Sequence, residues 1–279
     1  MMEKLSTTKS LETPVTAGVS TPLDKTFIAP RSVATVALPS RGYFYSDPSI
    51  KDGKVEITPL TARDMKLVAG ITGDNVDDVV DTLLKRCVVT NIDPQELLTV
   101  DRYFLLIMLR ANSFGSGVNI SVACPNTKCK KVSSLVLDLI KDYDVVSVKE
   151  GAKEPFQFEL PVSKLVVTYR LPRGKDVKLI ESTIDTIKAN TKEDTVGDMT
   201  LTAAVAMLIN TINGVPVPEE SRVEAVDSFP ASDFLALKRD MDANTPSLTS
   251  STTKKCTHCG NSIEVGSPLQ SAEFFYPLS

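Results

Sequence analysis

The sequence predicts an α+β fold: a mainly helical body, small antiparallel sheets, and a module closed by two cysteine knuckles that lie far apart in the chain. Three observations carry this. Apolar residues repeat at three- and four-residue steps through much of the chain, the period of a helix that buries one face. Between residues 115 and 139, and again after Cys259, the period shortens to the two of a half-buried strand. Each short-period region holds a pair of cysteines, Cys124-Pro125-Asn126-Thr127-Lys128-Cys129 in the first and Cys256-Thr257-His258-Cys259-Gly260 in the second.

Four thiolates in two close pairs match the donor set of a tetrahedral Zn²⁺ site, since each short turn can aim two sulfurs at one cation. Cys124, Cys129, Cys256 and Cys259 are therefore the predicted metal ligands, for a structural Zn²⁺, and the two pairs must meet in space. Free thiols or a disulfide are the alternative. In Cys256-x-x-Cys259-Gly260 the glycine is free to take the positive φ such a turn tends to need, whereas the first knuckle is longer and has no glycine. Strand, knuckle, strand is the layout of half a zinc ribbon. His258 could replace a cysteine, yet four sulfurs already complete a closed tetrahedron and leave no position for water.

Composition narrows the function classes. With 279 residues, 42% of them hydrophobic, the chain can bury a substantial core without help from a metal. A net charge of -4 provides no field for nucleic acid or an anionic membrane surface, so protein partners are favoured. No apolar run approaches the ~20 residues of a membrane-spanning helix, and Met1-Met2-Glu3-Lys4 leads into Ser and Thr rather than an apolar signal core. A reducing cytoplasm is the expected site of synthesis, which favours thiolate–metal bonds over disulfides.

Taken in order, residues 1–30 are Ser-, Thr- and Pro-rich and read as a flexible arm. An N-terminal helical domain is expected over residues 31–115. It opens with a β-branched stretch from Val33 to Leu38, then a loop, Arg41-Gly42-Tyr43-Phe44-Tyr45, whose aromatics pin it to the core or to a partner. A strand at Val55–Thr58 precedes Thr61-Ala62-Arg63-Asp64, a capping-box pattern that starts a short helix. Asn75 is placed to cap the next helix, in which Val76, Val79, Val80, Leu83, Leu84, Cys87 and Val88 form one apolar face. Cys87, on that face, reads as a small buried hydrophobe. Asp93-Pro94-Gln95-Glu96 has the form of a cap and a first helical turn. Tyr103 to Leu109 is apolar on every face and predicts a buried central helix, with Asp101 and Arg102 as a cap and a surface or interface ion pair.

The metal module is expected from residues 116–140 plus 250–279, interrupted by an inserted helical and hairpin domain at 141–249. Within the insertion, Phe156–Leu160 and Leu165–Leu171 suggest a hairpin, and Val177, Ile180, Ile184 and Ile187 mark a helix. Leu201, Ala204, Val205, Leu208, Ile209 and Ile212 form a second helical stripe up to Gly214. Ser221 and Ser232 have the character of caps for two shorter helices, the last holding Phe234, Leu235, Leu237 and Met241. Residues 242–255 read as a tether returning the chain to the metal.

Catalytic motifs do not stand out: no phosphate-cradling glycine loop, Ser-His-Asp set or paired carboxylates. A non-enzymatic protein is expected, with no small-molecule substrate.

The order of landmarks resembles the T4-type bacteriophage baseplate proteins of contractile tails. Leu38-Pro39-Ser40-Arg41-Gly42 with Tyr43-Phe44-Tyr45, Leu60-Thr61-Ala62-Arg63-Asp64, Leu83-Leu84-Lys85-Arg86-Cys87 and Asp101-Arg102-Tyr103-Phe104-Leu105-Leu106 follow one another as in that family. A Cys-Pro knuckle after Ser113-Phe114-Gly115 and a terminal Cys-x-x-Cys-Gly followed by Phe274-Phe275 and Pro277 complete the pattern, which covers most of residues 38–279. The first knuckle departs from it, since the family usually has Cys-Pro-x-Cys-Gly there. The resemblance implies a structural component of the baseplate or its hub, located in the virion and surrounded by other tail proteins. An assembly factor absent from the mature particle, or a nucleic-acid-binding zinc ribbon, are the competing readings. Against the latter stand the acidic balance and a local basic cluster limited to Lys128, Lys130, Lys131, Lys254 and Lys255. If the family reading holds, Arg41 to Tyr45 and Phe274-Phe275-Tyr276 are candidate contact aromatics, with core packing the alternative.

Overall fold

A computed structural model describes residues 31–50, 52–72, 75–190, 199–249, 251–266 and Phe274. The arm expected over residues 1–30, and the aromatics Phe275 and Tyr276, lie outside the described residues. Within them, seven helices and five small antiparallel sheets form an α+β fold whose apolar residues gather in two clusters.

The first cluster begins with strands β1 (Ala34–Ala37) and β2 (Lys54–Ile57), paired antiparallel. Helix α1 (Ala62–Ala69) follows, started by the capping box the sequence predicts: the Thr61 N–H and hydroxyl donate to Asp64 Oδ2 at 2.9 and 2.5 Å. Helix α2 (Val76–Cys87) buries Val79, Val80, Leu83, Leu84 and Cys87, as its periodicity requires. Asn75 does not cap it. Its Oδ1 accepts from Thr72 N and its Nδ2 donates to Gly70 O, so it closes the preceding loop instead. The expected helical turn at Asp93–Glu96 is an isolated turn, in which the Asp93 carboxylate accepts from Gln95 N.

Helix α3 (Thr99–Phe114) is the central element of this cluster, with Leu105, Leu106, Ile107 and Leu109 buried. It is not buried all round, because Tyr103 is 44% exposed. Asp101 and Arg102, expected as a cap and a surface or interface ion pair, are instead buried, with Arg102 in an ion pair inside the fold. Arg102 Nη2 lies 2.6 Å from Asp81 Oδ1 and Arg102 Nη1 lies 3.5 Å from Asp77 Oδ1. Strands β3 (Gly117–Ala123) and β4 (Val132–Asp138) form the first hairpin and turn Val118 and Leu137 into the same cluster.

Beyond β5 (Val145–Val146) the second cluster is built from β6 (Phe156–Glu159), β7 (Val166–Tyr169), α4 (Gly174–Asn190) and α5 (Thr200–Leu208). The expected helix over 201–212 ends at Leu208. Ile209–Ile212 is strand β8, paired with β7 and turning through Asn213-Gly214 into β9 (Val215–Pro216). Both turn residues have positive φ, 50° and 76°, the geometry of a type I′ hairpin. The β-branched Ile209-Asn210-Thr211-Ile212 run satisfies a strand better than a helix end once a hairpin turn follows it.

Of the two predicted serine caps, Ser221 stands at the N-cap position of α6 (Arg222–Asp227), after a 3-10 turn at Glu219–Ser221, but makes no side-chain cap bond. Ser232 does not cap α7 (Ala231–Asn244), which begins after Pro230 with Ser232 inside it. Asp233 fixes α7 instead, accepting from Val162 N and Ser163 N at 2.7 and 2.9 Å. The tether expected at 242–255 is partly regular. α7 runs to Asn244, β10 (Ser247–Leu248) pairs with β5, and β11 (Ser251–Lys255) pairs with β12 (Ser262–Gly266). That second hairpin contributes Cys256, Ile263 and Val265 to the first cluster.

A seam of backbone bonds joins the start of α3 to the start of α4: Thr99 N donates to Pro172 O, Gly174 N to Leu97 O and Lys175 N to Gln95 O, at 2.9–3.0 Å. Glycine is required at 174 because a Cβ there would lie 2.7 Å from Pro94 O and 2.8 Å from Arg102 Cδ.

Candidate metal centre

The two hairpins bring all four predicted ligands together. Cys124, Cys129, Cys256 and Cys259 present sulfurs that all lie within 4.8 Å of one another, with Cys124 Sγ 3.7 Å from Cys259 Sγ and Cys129 Sγ 3.9 Å from Cys256 Sγ. A disulfide needs about 2.05 Å, so none of the four is bridged. Four sulfurs around a tetrahedral Zn²⁺ at about 2.3 Å would sit about 3.8 Å apart. The donor set fits such an ion in chemistry and in spacing. Among the described residues no other cluster of three or more potential metal ligands occurs.

Local sequence explains how each knuckle is held. Cys124 N donates to Lys131 O and Cys256 N to Asn261 O, so each loop closes the end of its hairpin in the same way. Inside the loops, Lys130 N donates to Asn126 O and Gly260 N to Cys256 O. The residue after the second cysteine takes a positive φ in both knuckles, 72° at Gly260 and 50° at Lys130. Thus the knuckle without a glycine keeps the turn and puts a lysine in the left-handed region. Asn126 helps to hold it, its Oδ1 accepting from Lys128 N at 2.9 Å.

The thiols are electrostatically unequal. Burial pushes the Cys124 thiol up to about 12, with the neighbouring thiols adding to the effect against the Asn126 N–H. The Ser133 hydroxyl lowers Cys256 to about 6, reinforced by the backbone N–H groups of His258 and Cys259. Cys124 and Cys256 are buried, Cys129 is half-buried and Cys259 exposed. His258 stays apart from the sulfurs, with its Nε2 3.1 Å from Val132 O. Of the local lysines, Lys254 pairs with Asp142 at 2.5 Å and Lys255 bonds to Ser262 Oγ at 2.8 Å.

Sequence reasoning did not single out Ser133 or Thr257. The signal was present, because Ser133 occupies the inward phase that continues through Leu135, Leu137 and Leu139, where a polar residue is out of place. Cys87, by contrast, is fully buried among apolar residues of α2, as expected, and away from the cluster.

The candidate contact aromatics separate. Tyr43 is 40% exposed, Tyr45 is bonded inward, and Phe44 packs 6.0 Å from Phe156. Phe274 is fully buried in the first cluster, its carbonyl accepting from Arg110 Nε at 2.7 Å, and so is no surface contact. A cleft of about 430 Å³ near Tyr45 is lined by Arg170, Arg173 and Lys175. Each is neutralised by a carboxylate, from Asp176, Glu154 and Glu96 respectively. No helix among the described residues is long and apolar enough to cross a membrane.

Fold and site together define an α+β protein whose distinctive chemical feature, among the described residues, is a set of four thiols able to hold a metal ion. The model of the T4 bacteriophage base plate protein family matches residues 40–276, and the chain belongs to that family. No match was found among curated proteins or among solved structures.

Proposed function

We propose that this chain is a structural component of the baseplate, or central hub, of a contractile phage tail, held in the virion by contacts with other tail proteins. The observation that carries this reading is the family match over residues 40–276. We further propose that Cys124, Cys129, Cys256 and Cys259 bind one structural Zn²⁺, making residues 116–140 and 250–279 one zinc-ribbon-like module interrupted by the 141–249 insertion. Four protein sulfurs saturate the cation, so the site serves stability rather than turnover. The reading needs no nucleic acid, membrane or small-molecule substrate, and places assembly in the host cytoplasm.

Mass spectrometry of purified virions and of tail intermediates from the producing phage tests it. Presence at fixed stoichiometry in mature particles is the expected result. Confinement to intermediates would make the chain an assembly factor, and absence from both with salt-sensitive DNA or RNA binding would favour the nucleic-acid reading. Metal analysis of protein purified without chelator should give one zinc per chain. Cys259→Ser should loosen the two hairpins while α3 stays buried, because its core is built from other residues.

A further inference from the structure

Ser133 is fully buried on the inward face of β4, where a hydroxyl without partners would carry a desolvation cost. Its Oγ has three polar neighbours, all in the second knuckle: Cys256 Sγ at 3.3 Å, Thr257 N at 3.3 Å and Thr257 Oγ1 at 3.2 Å. A serine hydroxyl offers one hydrogen and two lone pairs. The Thr257 N–H can only donate, and the Thr257 hydroxyl donates as well, so both lone pairs are engaged. The single Ser133 hydrogen is left for Cys256. A metal-bound thiolate carries no proton and can only accept, which requires the same polarity.

We propose that Ser133 is a positioning residue of the metal centre, donating its hydroxyl hydrogen to Cys256 Sγ across the two hairpins and holding that sulfur toward the cation. Thr257 is the second member of the device, since its two donors fix the direction of the Ser133 hydrogen. The inference rests on the reading of the four cysteines as a metal site. Hydrogen bonds to the side chains that ligate a metal are typically worth about 10- to 100-fold in metal affinity. Here the bond has a further geometric consequence. It runs from the first hairpin to a ligand of the second, so it orients one half of the donor set on the other before metal arrives.

The test is metal affinity of the full-length chain, measured with Zn²⁺ and Co²⁺ against a competing chelator, for the wild type, Ser133→Ala, Thr257→Val and Ser134→Ala. Ser133→Ala should bind about 10- to 100-fold more weakly and shift the thiolate-to-Co²⁺ charge-transfer band, a readout that mere packing does not move. Thr257→Val keeps the shape and the backbone N–H but removes one of the two donors that aim the Ser133 hydrogen, so it should weaken binding by about two- to tenfold. Ser134, exposed on the opposite face of β4, should leave affinity unchanged when replaced. Wild-type affinity in Ser133→Ala with an unshifted Co²⁺ spectrum overturns the proposal. If that variant does not fold, Thr257→Val decides, weakened binding supporting the proposal and wild-type binding refuting it. A wild-type chain that takes up no metal overturns the metal reading itself, an outcome visible before any variant is made.

Discussion

The Tyr45 hydroxyl donates to Oδ2 of Asp101 at 2.5 Å, and the Tyr45 hydroxyl oxygen accepts the Leu98 N–H at 2.9 Å. Two distant landmarks of the sequence, the Arg41 to Tyr45 loop and the Asp101-Arg102 start of α3, are therefore one structural device. Leu98 precedes α3 and has no side chain that can cap it, so Tyr45 satisfies a helix-end N–H from 53 positions away. Ser40 N completes the arrangement with a 3.1 Å bond to Asp101 Oδ1.

Replacing Tyr45 by Phe should destabilise the chain by about 1–3 kcal/mol, because a buried carboxylate loses a donor and a helix-end N–H loses its acceptor. Urea denaturation reads this directly. A loss below about 0.5 kcal/mol, the level of an ordinary surface substitution, would show that water replaces the hydroxyl at no cost.

Asp101 also sets a pH dependence. Burial pushes its carboxyl above the ordinary range, and the bonds from Ser40 and Tyr45 offset only part of that rise. Between the unfolded value of about 4 and the raised folded value, the folded chain holds more protons than the unfolded one. The stability contributed by this group therefore declines as pH rises through that window and is constant above it. Asp64 works in the opposite sense. Burial raises its carboxyl, but Thr61 and Arg86 together hold it below the ordinary range, so its contribution is lost as pH falls. Subtracting Asp101→Asn stability from wild type isolates the first effect. That difference should fall with pH across the window, and a flat or rising difference would refute the assignment.

The two knuckles give a paired backbone test. Gly260 has open space where a Cβ would go, so Gly260→Ala should cost only the left-handed conformation, about 1–2 kcal/mol. Lys130 already sits in that region, and Lys130→Gly should change stability by less than about 1 kcal/mol, relief of strain offsetting the added freedom of the unfolded chain. Thermal unfolding of the metal-loaded protein compares them. Equal effects of the two changes would mean that the turns are not equivalent.

What was legible in the sequence was local. The cysteine spacing, the Thr61–Asp64 capping box, the apolar face of α2 and the 156–171 hairpin each depend on residues a few positions apart. The failures divide in two. Ile209 and Ile212 fit a helical stripe and a strand equally well, and Asn213-Gly214, the turn that decides between them, has the form of a helix stop as well as of a hairpin. Asp101 and Arg102 failed for a different reason. Their partners, Tyr45 and Asp81, are 20 or more positions away, and nothing in the local pattern separates a buried, compensated charge from an exposed one. Ser133 belongs with these, since its value lies in Cys256 and Thr257 of the other hairpin.

Gly174 is the most exacting position at the seam between the two apolar clusters. An added Cβ would meet the Pro94 carbonyl oxygen, which is backbone, and Arg102 Cδ, which cannot move aside because its guanidinium is 2.6 Å from Asp81. Gly174→Ala should therefore cost about 1–3 kcal/mol from overpacking, and more if Arg102 leaves Asp81 and strands a buried charge. Gly117→Ala is the control, since its Cβ would meet only Val136 Cγ1 at an ordinary 3.5 Å; it should be neutral or stabilise by up to about 1 kcal/mol. Because Gly174 N also donates to Leu97 O, the damage should reach both sides of the seam. Hydrogen exchange on Gly174→Ala is expected to show lost protection in the first turn of α3 and in α4 together. Loss confined to α4, with α3 protected as in wild type, would show that the seam does not couple the two clusters.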